Sequence, residues 1–238
     1  MKKEKFIMKK ILSLGLLFAA ILTLGLTGCA KDPEENEKLP GTWSTAAAFW
    51  DYSGSAKLTA SGSTFTYKLE NPLTSYGSTI PSGKFGWDTF SLTQEDHFKG
   101  FKAKASANSG DSGCGFAFCL NRRKDTETNK TLFSYYALVI QEDSLYLKQI
   151  AENSDDSVIL VNWKTIPSLN AEPAENTYTV YTDTDNSIVI KINGEVAHII
   201  ENPAYTKGEI GVLGVCGGND QAANKTISST YKFLQFQK

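Results

Sequence analysis

Hydrophobic and polar positions divide this 238-residue chain into three patterns. The first is a block. After Lys2, Lys3, Lys9 and Lys10 the chain runs through residues 11–26 without a charge, the basic and apolar regions of a secretory leader. The run falls slightly short of the roughly 20 apolar residues that a spanning helix needs. The second pattern, residues 31–40, holds Asp32, Glu34, Glu35 and Glu37 between Pro33 and Pro40 and has almost nothing to bury, as in a flexible tether. The third begins near Phe65, where short β-rich runs alternate with turn residues and no amphipathic stretch of helical period is long enough for a helix. Strands are predicted over 65–69, 98–106, 115–120, 134–141, 144–151, 158–163, 178–181, 187–192, 195–201, 209–215 and 230–237. So dense a set in about 200 residues predicts one all-β domain, 41–238, built as two packed antiparallel sheets.

The sharpest local signal is Ile192-Asn193-Gly194-Glu195. Asn-Gly accepts the positive φ values of a type I′ turn and predicts a two-residue hairpin. Its register then pairs Ile190 with Ala197 and Ile188 with Ile199 on a core face, and Val189 with His198 on the other. His198 is expected to be structural, and His97, beside Glu95 and Asp96, to lie in a loop or at a strand entry.

The apolar leader ends at Leu26-Thr27-Gly28-Cys29, the small-residue-then-cysteine pattern of a bacterial lipobox. Cleavage before Cys29 removes residues 1–28, leaving Cys29 as a lipidated N-terminus and 29–40 as lipidated end and tether. Acyl chains contribute roughly 0.8 kcal/mol per buried methylene, so two or three chains hold a protein on a membrane without a spanning helix. The expected address is the bacterial cell envelope, extracytoplasmic; Ala30, where aspartate would signal inner-membrane retention, tilts this toward the outer membrane.

A formal net charge of −2 gives no basic excess for nucleic acid, whose binding depends on phosphate neutralisation. Arg122-Arg123-Lys124 is the one dense basic cluster and is expected to be a solvated turn after a strand. Besides Cys29 there are Cys114, Cys119 and Cys216. Strand alternation points Cys114 and Cys119 to opposite faces, against a bond between them. A bond from Cys216 to either stays open, and buried thiols acting as small hydrophobes are the plainer expectation. No zinc-type spacing is present.

With Tyr135-Tyr136 and Ile140, Tyr146-Leu147-Lys148, Trp163, Asn176 to Val180, Ile192 to Val196, Gly208 to Val212 and the closing run Tyr231 to Phe236, the chain resembles concanavalin A-like jelly-roll domains. The flavour is that of the laminin-G-like and 3-keto-disaccharide-hydrolase-like branch. The resemblance covers residues 98–238 and implies a jelly-roll β-sandwich, a fold shared by lectins, hydrolases and structural modules, so it does not fix function. Glucanases of this fold carry Glu-x-Asp-x-x-Glu on one strand, which puts three carboxylates on one face. No glutamate here is followed two residues later by aspartate. With two histidines and no Gly-x-Ser-x-Gly, a histidine-based hydrolase has little to work with. Asp183-Thr184-Asp185-Asn186 is expected to be a hairpin tip rather than a calcium site. No catalytic residue, metal ligand or cofactor is assigned.

Sugar recognition combines aromatic platforms with amide and charged groups, and aromatics abound: Trp43, Phe49, Phe85 and Trp163 among them. Trp50, Tyr52 and Trp87 stand out because Asp51, Asp88 and nearby glycines give them polar company; Asn121, Arg122 and Arg123 could bond at the same rim. The leading expectation is a non-enzymatic jelly roll binding a glycan or glycosylated partner. The alternatives are a glycan-processing hydrolase with carboxylates from separate strands and a protein-interaction module.

Overall fold

The computed structural model describes residues 56–75, 80–92, 97–108, 111–152, 156–171 and 173–238. The leader, the tether, Cys29, Trp50 and Tyr52 lie outside the described residues. Among the described residues thirteen strands form two antiparallel sheets. The seven-stranded sheet has the order β1-β2-β13-β4-β9-β10-β11, from β1 (Ala56–Ser61), β2 (Thr64–Leu69), β4 (Gly100–Ala107), β9 (Asn176–Thr182), β10 (Ile188–Ile192), β11 (Glu195–Ile200) and β13 (Ile227–Gln237). The six-stranded sheet runs β3-β12-β5-β6-β7-β8, from β3 (Phe85–Ser91), β5 (Gly113–Lys124), β6 (Thr131–Gln141), β7 (Ser144–Ile150), β8 (Val158–Thr165) and β12 (Glu209–Gly217). All eleven predicted strands are present. β1 and β3 are additional, and Phe85 and Trp87, read from sequence as a glycine-rich segment, belong to β3.

The two sheets obey different patterns. In β4, Phe101, Ala103, Ala105 and Ala107 are buried while Lys102, Lys104 and Ser106 are half-exposed, the alternation of a sheet with one wet face. In β12 every residue is buried, as are Gly113 to Leu120 of β5 and Ser134 to Ile140 of β6. Such continuous apolar runs mark strands covered on both faces.

Inward-facing residues of the six-stranded sheet join those of the other sheet in the main core. Phe116 is its hub, with ring centroids 5.0 Å from Phe101, 5.2 Å from Tyr178, 5.6 Å from Tyr231 and 6.0 Å from Phe233. Edge-to-face and tilted geometries suit the ring quadrupole. Buried tyrosines satisfy their hydroxyls across the sandwich: Tyr231 donates to the Leu213 carbonyl (2.5 Å) and Tyr67 to Asp88 Oδ2 (2.6 Å). The Tyr67 ring lies directly on Gly214, where a Cβ would meet its carbons at 2.1–2.3 Å, so the residue there must be glycine.

Bulges correct two expectations. Asn193 (φ 52°) and Gly194 (φ 89°) form the expected turn, and Ile192 pairs with Glu195 and Lys191 with Val196. An extra residue then shifts the ladder, so Ile190 faces His198 and Val189 faces Ile199. Ala197 and Ile200 are buried, whereas Ile199 is 45% exposed and leaves the predicted core face. Asn193 fixes the tip by donating to the Ser168 carbonyl (2.6 Å) and accepting from Thr177 N–H (2.9 Å). The second bulge, between Phe118 and Asn121, carries Cys119 at φ 51° and turns it into the same core as Cys114, against simple alternation. Cys114, Cys119 and Cys216 are buried free thiols. Burial pushes the Cys119 thiol up to about 12; burial, then the carboxylates of Asp220, Asp88 and Asp111, do the same for Cys216. Arg122 to Lys124 are the end of β5 rather than a turn. Asp183 to Ser187 is the expected hairpin tip, with Asp185 Oδ1 accepting from Ser187 N–H at 2.9 Å.

Phe116→Ala should cost about 3–5 kcal/mol in chemical denaturation, because four rings of the opposite sheet lose their partner. His198 is half-buried, and desolvation, then the Lys164 ammonium, hold it below the ordinary histidine value of 6.5. The unfolded chain therefore binds this proton more readily. The stability of the neutral form is intact above pH about 6.5 and is lost as pH falls through the depressed folded value. An NMR titration should place His198 below 6.5, and His198→Asn should flatten the stability profile over that window.

Candidate functional site

The outward face of the six-stranded sheet is the candidate site. Alternation from the core-facing residues leaves Ala117, Leu120, Tyr135, Ala137, Val139, Tyr146, Leu213 and Val215 on this side, where they form a second apolar cluster. Along one row of the sheet Thr89, Leu213, Gly115, Val139 and Tyr146 are neighbours; along the next come Ser91, Gly211, Ala117, Ala137 and Lys148. The middle of the face is thus floored by small residues. Phe85, Trp87, Phe133, Ile150 and Trp163 pack over this floor and remain partly exposed.

At one end stands an aromatic group drawn from three strands. Phe85 stacks with Trp87 (5.8 Å, 26°) and presents its edge to Tyr146 (5.2 Å, 76°) and Trp163 (4.9 Å, 73°); Tyr146 and Trp163 are 5.4 Å apart. Trp163 holds φ 34°, a left-handed backbone that a bulky side chain seldom adopts, in β8, whose pairing with β7 shifts opposite Leu145/Leu147 and again opposite Leu147/Lys148. Burial raises the Tyr146 hydroxyl above its ordinary pKa.

The other end is ionic. Three groups converge on Glu209 Oε2: Arg122 Nε donates at 3.1 Å, Ser91 Oγ at 2.6 Å, and the terminal Arg122 nitrogen makes the shortest contact. The same nitrogen donates to Ser91 Oγ at 3.0 Å. The side chains are 27% (Arg122) and 4% (Glu209) exposed, so this pair is largely out of water. Beside it Thr89 Oγ1 and the Tyr135 hydroxyl share a hydrogen bond (3.4 Å).

Of the residues singled out from sequence, Trp87 falls in the aromatic group. Asn121 instead supports the bulge, donating to the Cys119 carbonyl at 2.9 Å and the Lys207 carbonyl at 3.4 Å. Arg122 is engaged by Glu209, and Arg123 by Glu152 at 2.6 Å on the exposed surface. Trp50 and Tyr52 lie outside the described residues. Sequence reasoning passed over Phe85, Tyr146 and Trp163 as an ensemble because they are far apart in the chain; the signal available was their alternation within separate strands.

The six strands of this sheet contain two carboxylates, Asp88 and Glu209. Asp88 points inward to Tyr67 and Glu209 is held by Arg122. The described strand residues therefore place no pair of carboxylates across the face in the manner of a glycosidase. Among the described residues no group of three or more His, Cys, Asp or Glu is arranged to hold a metal ion.

Removing one partner of the ionic end leaves a charge stranded in a dry site. Arg122→Met should lower stability by about 3 kcal/mol, the low end for a broken buried pair, and adding Glu209→Gln should recover much of the loss in thermal unfolding. An additive double mutant would show that the two charges do not act as a pair.

No family model matches the sequence, and no curated protein does. Solved structures do match. A prokaryotic β-1,3-1,4-glucanase (lichenase) derived from a mouse hindgut metagenome superposes with a TM-score of 0.52 at 8% identity, covering 85% of this chain and 96% of its own. A 1,3-α-1,4-β-D-galactose-4-sulfate-3,6-anhydro-D-galactose 4 galactohydrolase gives 0.51 at 12% identity, with 86% and 92% covered. A native glycosidic hydrolase gives 0.50 at 13%, with 84% and 91% covered. Two antiparallel sheets in this order, matched over most of their length, make the domain a concanavalin A-like jelly-roll β-sandwich.

Proposed function

We propose that this chain is a lipid-anchored protein of the bacterial cell envelope whose jelly roll binds a carbohydrate or glycosylated partner without cleaving it. The observation that carries the reading is the aromatic group on the outward face of the six-stranded sheet, in which Phe85, Trp87 and Trp163 are partly exposed around a buried Tyr146. Sugar rings present C–H faces that lie on aromatic rings, while an apolar surface with a few fixed polar groups gives orientation. Retaining and inverting glycosidases both need two carboxyl groups flanking the bond, and the described strand residues of this face supply one, Glu209, paired with Arg122. The glucanase and the galactohydrolase share the fold with this chain; at 8% and 12% identity that likeness carries architecture, and the carbohydrate reading rests on the aromatic face. The anchor reading rests on Leu26-Thr27-Gly28-Cys29 after the apolar leader.

A protein partner is the second reading. Val158 (49% exposed), Ile159 (51%), Val196 (55%) and Ile199 (45%) lie on the edge strands β8 and β11, which Lys164 links by donating to the Ala197 carbonyl at 3.1 Å.

The purified protein in detergent, presented to a glycan array with calcium and with chelator, should bind a restricted set of glycans. Trp87→Ala should weaken that binding about tenfold, near 1.4 kcal/mol, while a cooperative thermal transition shows that the protein is still folded; Trp50→Ala tests the candidate outside the described residues. Silence across the array would remove the glycan and favour the protein partner. In cells, Cys29→Ser should abolish incorporation of labelled fatty acid and release the protein from the membrane fraction.

A further inference from the structure

The geometry points to an acidic glycan as the ligand of the outward face, with Lys148 pairing with its carboxylate or sulfate and Trp163 supplying a stacking surface; this rests on the carbohydrate reading above. The chain as a whole is formally −2, but the strands of the six-stranded sheet are basic: Arg122, Arg123, Lys124, Lys148 and Lys164 stand against Asp88 and Glu209. Asp88 faces the core, so the outward side has less negative charge than that list implies.

The cations differ in what they are free to do. Arg122 is engaged by Glu209, Arg123 by Glu152, and Lys164 donates to the Ala197 carbonyl on the sheet edge. Lys124 ends its strand, exposed. Lys148 sits within β7, half-buried, opposite Ala137 and two residues from Tyr146, on the side that carries the aromatic group. Among the described residues it has no salt bridge or hydrogen-bonded carboxylate. On a half-buried residue an ammonium favours an anion more than the same group fully in water would, because the surroundings screen less. Its alkyl stem can lie on the apolar floor while the ammonium reaches a ligand. Trp163 is directed to the same side by its left-handed backbone and by contacts with Phe85 and Tyr146. A sugar stacked on Trp163 of β8 therefore meets Lys148 of the adjoining β7 as a neighbouring polar group.

The test compares binding of the detergent-solubilised protein to polygalacturonate and its carboxyl-reduced form, and to a sulfated galactan and its desulfated form. The expected result is that at least one acidic member binds about tenfold or more tightly than its neutral counterpart and weakens as salt is raised. Lys148→Met should erase that difference without lowering the thermal midpoint, Lys148→Arg should restore it, and Trp163→Ala should weaken acidic and neutral members together. The preferred series tells carboxylate from sulfate. Equal binding of acidic and neutral forms, or an unchanged preference in Lys148→Met, overturns the acidic-ligand inference and leaves the carbohydrate reading standing. Absence of binding to all four polymers and to the neutral glycans of the array overturns both.

Discussion

The structure depends on one sheet that is apolar on both sides. A sheet with one wet face needs a single layer of cover, which the seven-stranded sheet illustrates with its lysines and serines turned outward. The central strands of the six-stranded sheet have no such face: β12 is buried throughout, and β5 and β6 over long stretches. Their inner side is closed by phenylalanine and tyrosine rings around Phe116, fitted so closely that Tyr67 requires glycine at 214. Their outer side gathers a second cluster beneath partly exposed aromatics. This outer layer lies on the side of the sheet away from the core between the two sheets, and its partly exposed rings are Phe85, Trp87, Phe133 and Trp163.

Bulges decide which side chains that surface receives. One extra residue at Cys119 returns a thiol to the core and resets the alternation that follows, so that Arg122 meets Glu209 and Ser91 on the outward side. Irregular pairing in β8 brings Trp163 beside Phe85 and Tyr146. A bulge in β11 sends Ile199 outward and places His198 opposite Ile190. Each inserted residue, one in β5, one in β11 and two in β8, exchanges faces locally, which is the general consequence of a two-residue side-chain period.

The face that results is divided. Aromatic rings occupy one end, a neutralised and largely dry ion pair the other, with Gly115, Gly211, Ala117 and Ala137 between them and Lys148 at the side. The rings of Phe85, Trp87 and Trp163 stay partly exposed, whereas the small residues between the two ends are buried.

The sequence by itself determined the class of the fold and much of its strand inventory. Periodicity of two, dense turn residues and Asn193-Gly194 are local signals, expressed by the backbone of each segment wherever it packs, and they held for all eleven predicted strands and for the hairpin tip. The order of motifs from Tyr135 to Phe236 extended this to the jelly roll. Sequence also singled out Trp87. What it could not supply was the face of each side chain beyond a bulge, since one inserted residue at Cys119 or Ala197 leaves no compositional mark yet reverses everything after it. Nor could it reveal that Arg122 is neutralised by a glutamate 87 residues away, or that Phe85, Tyr146 and Trp163 share one surface. Those are long-range contacts across three strands, and only the tertiary structure decides them, because pairing between distant strands is fixed by the packing of the whole sandwich and not by any segment within it.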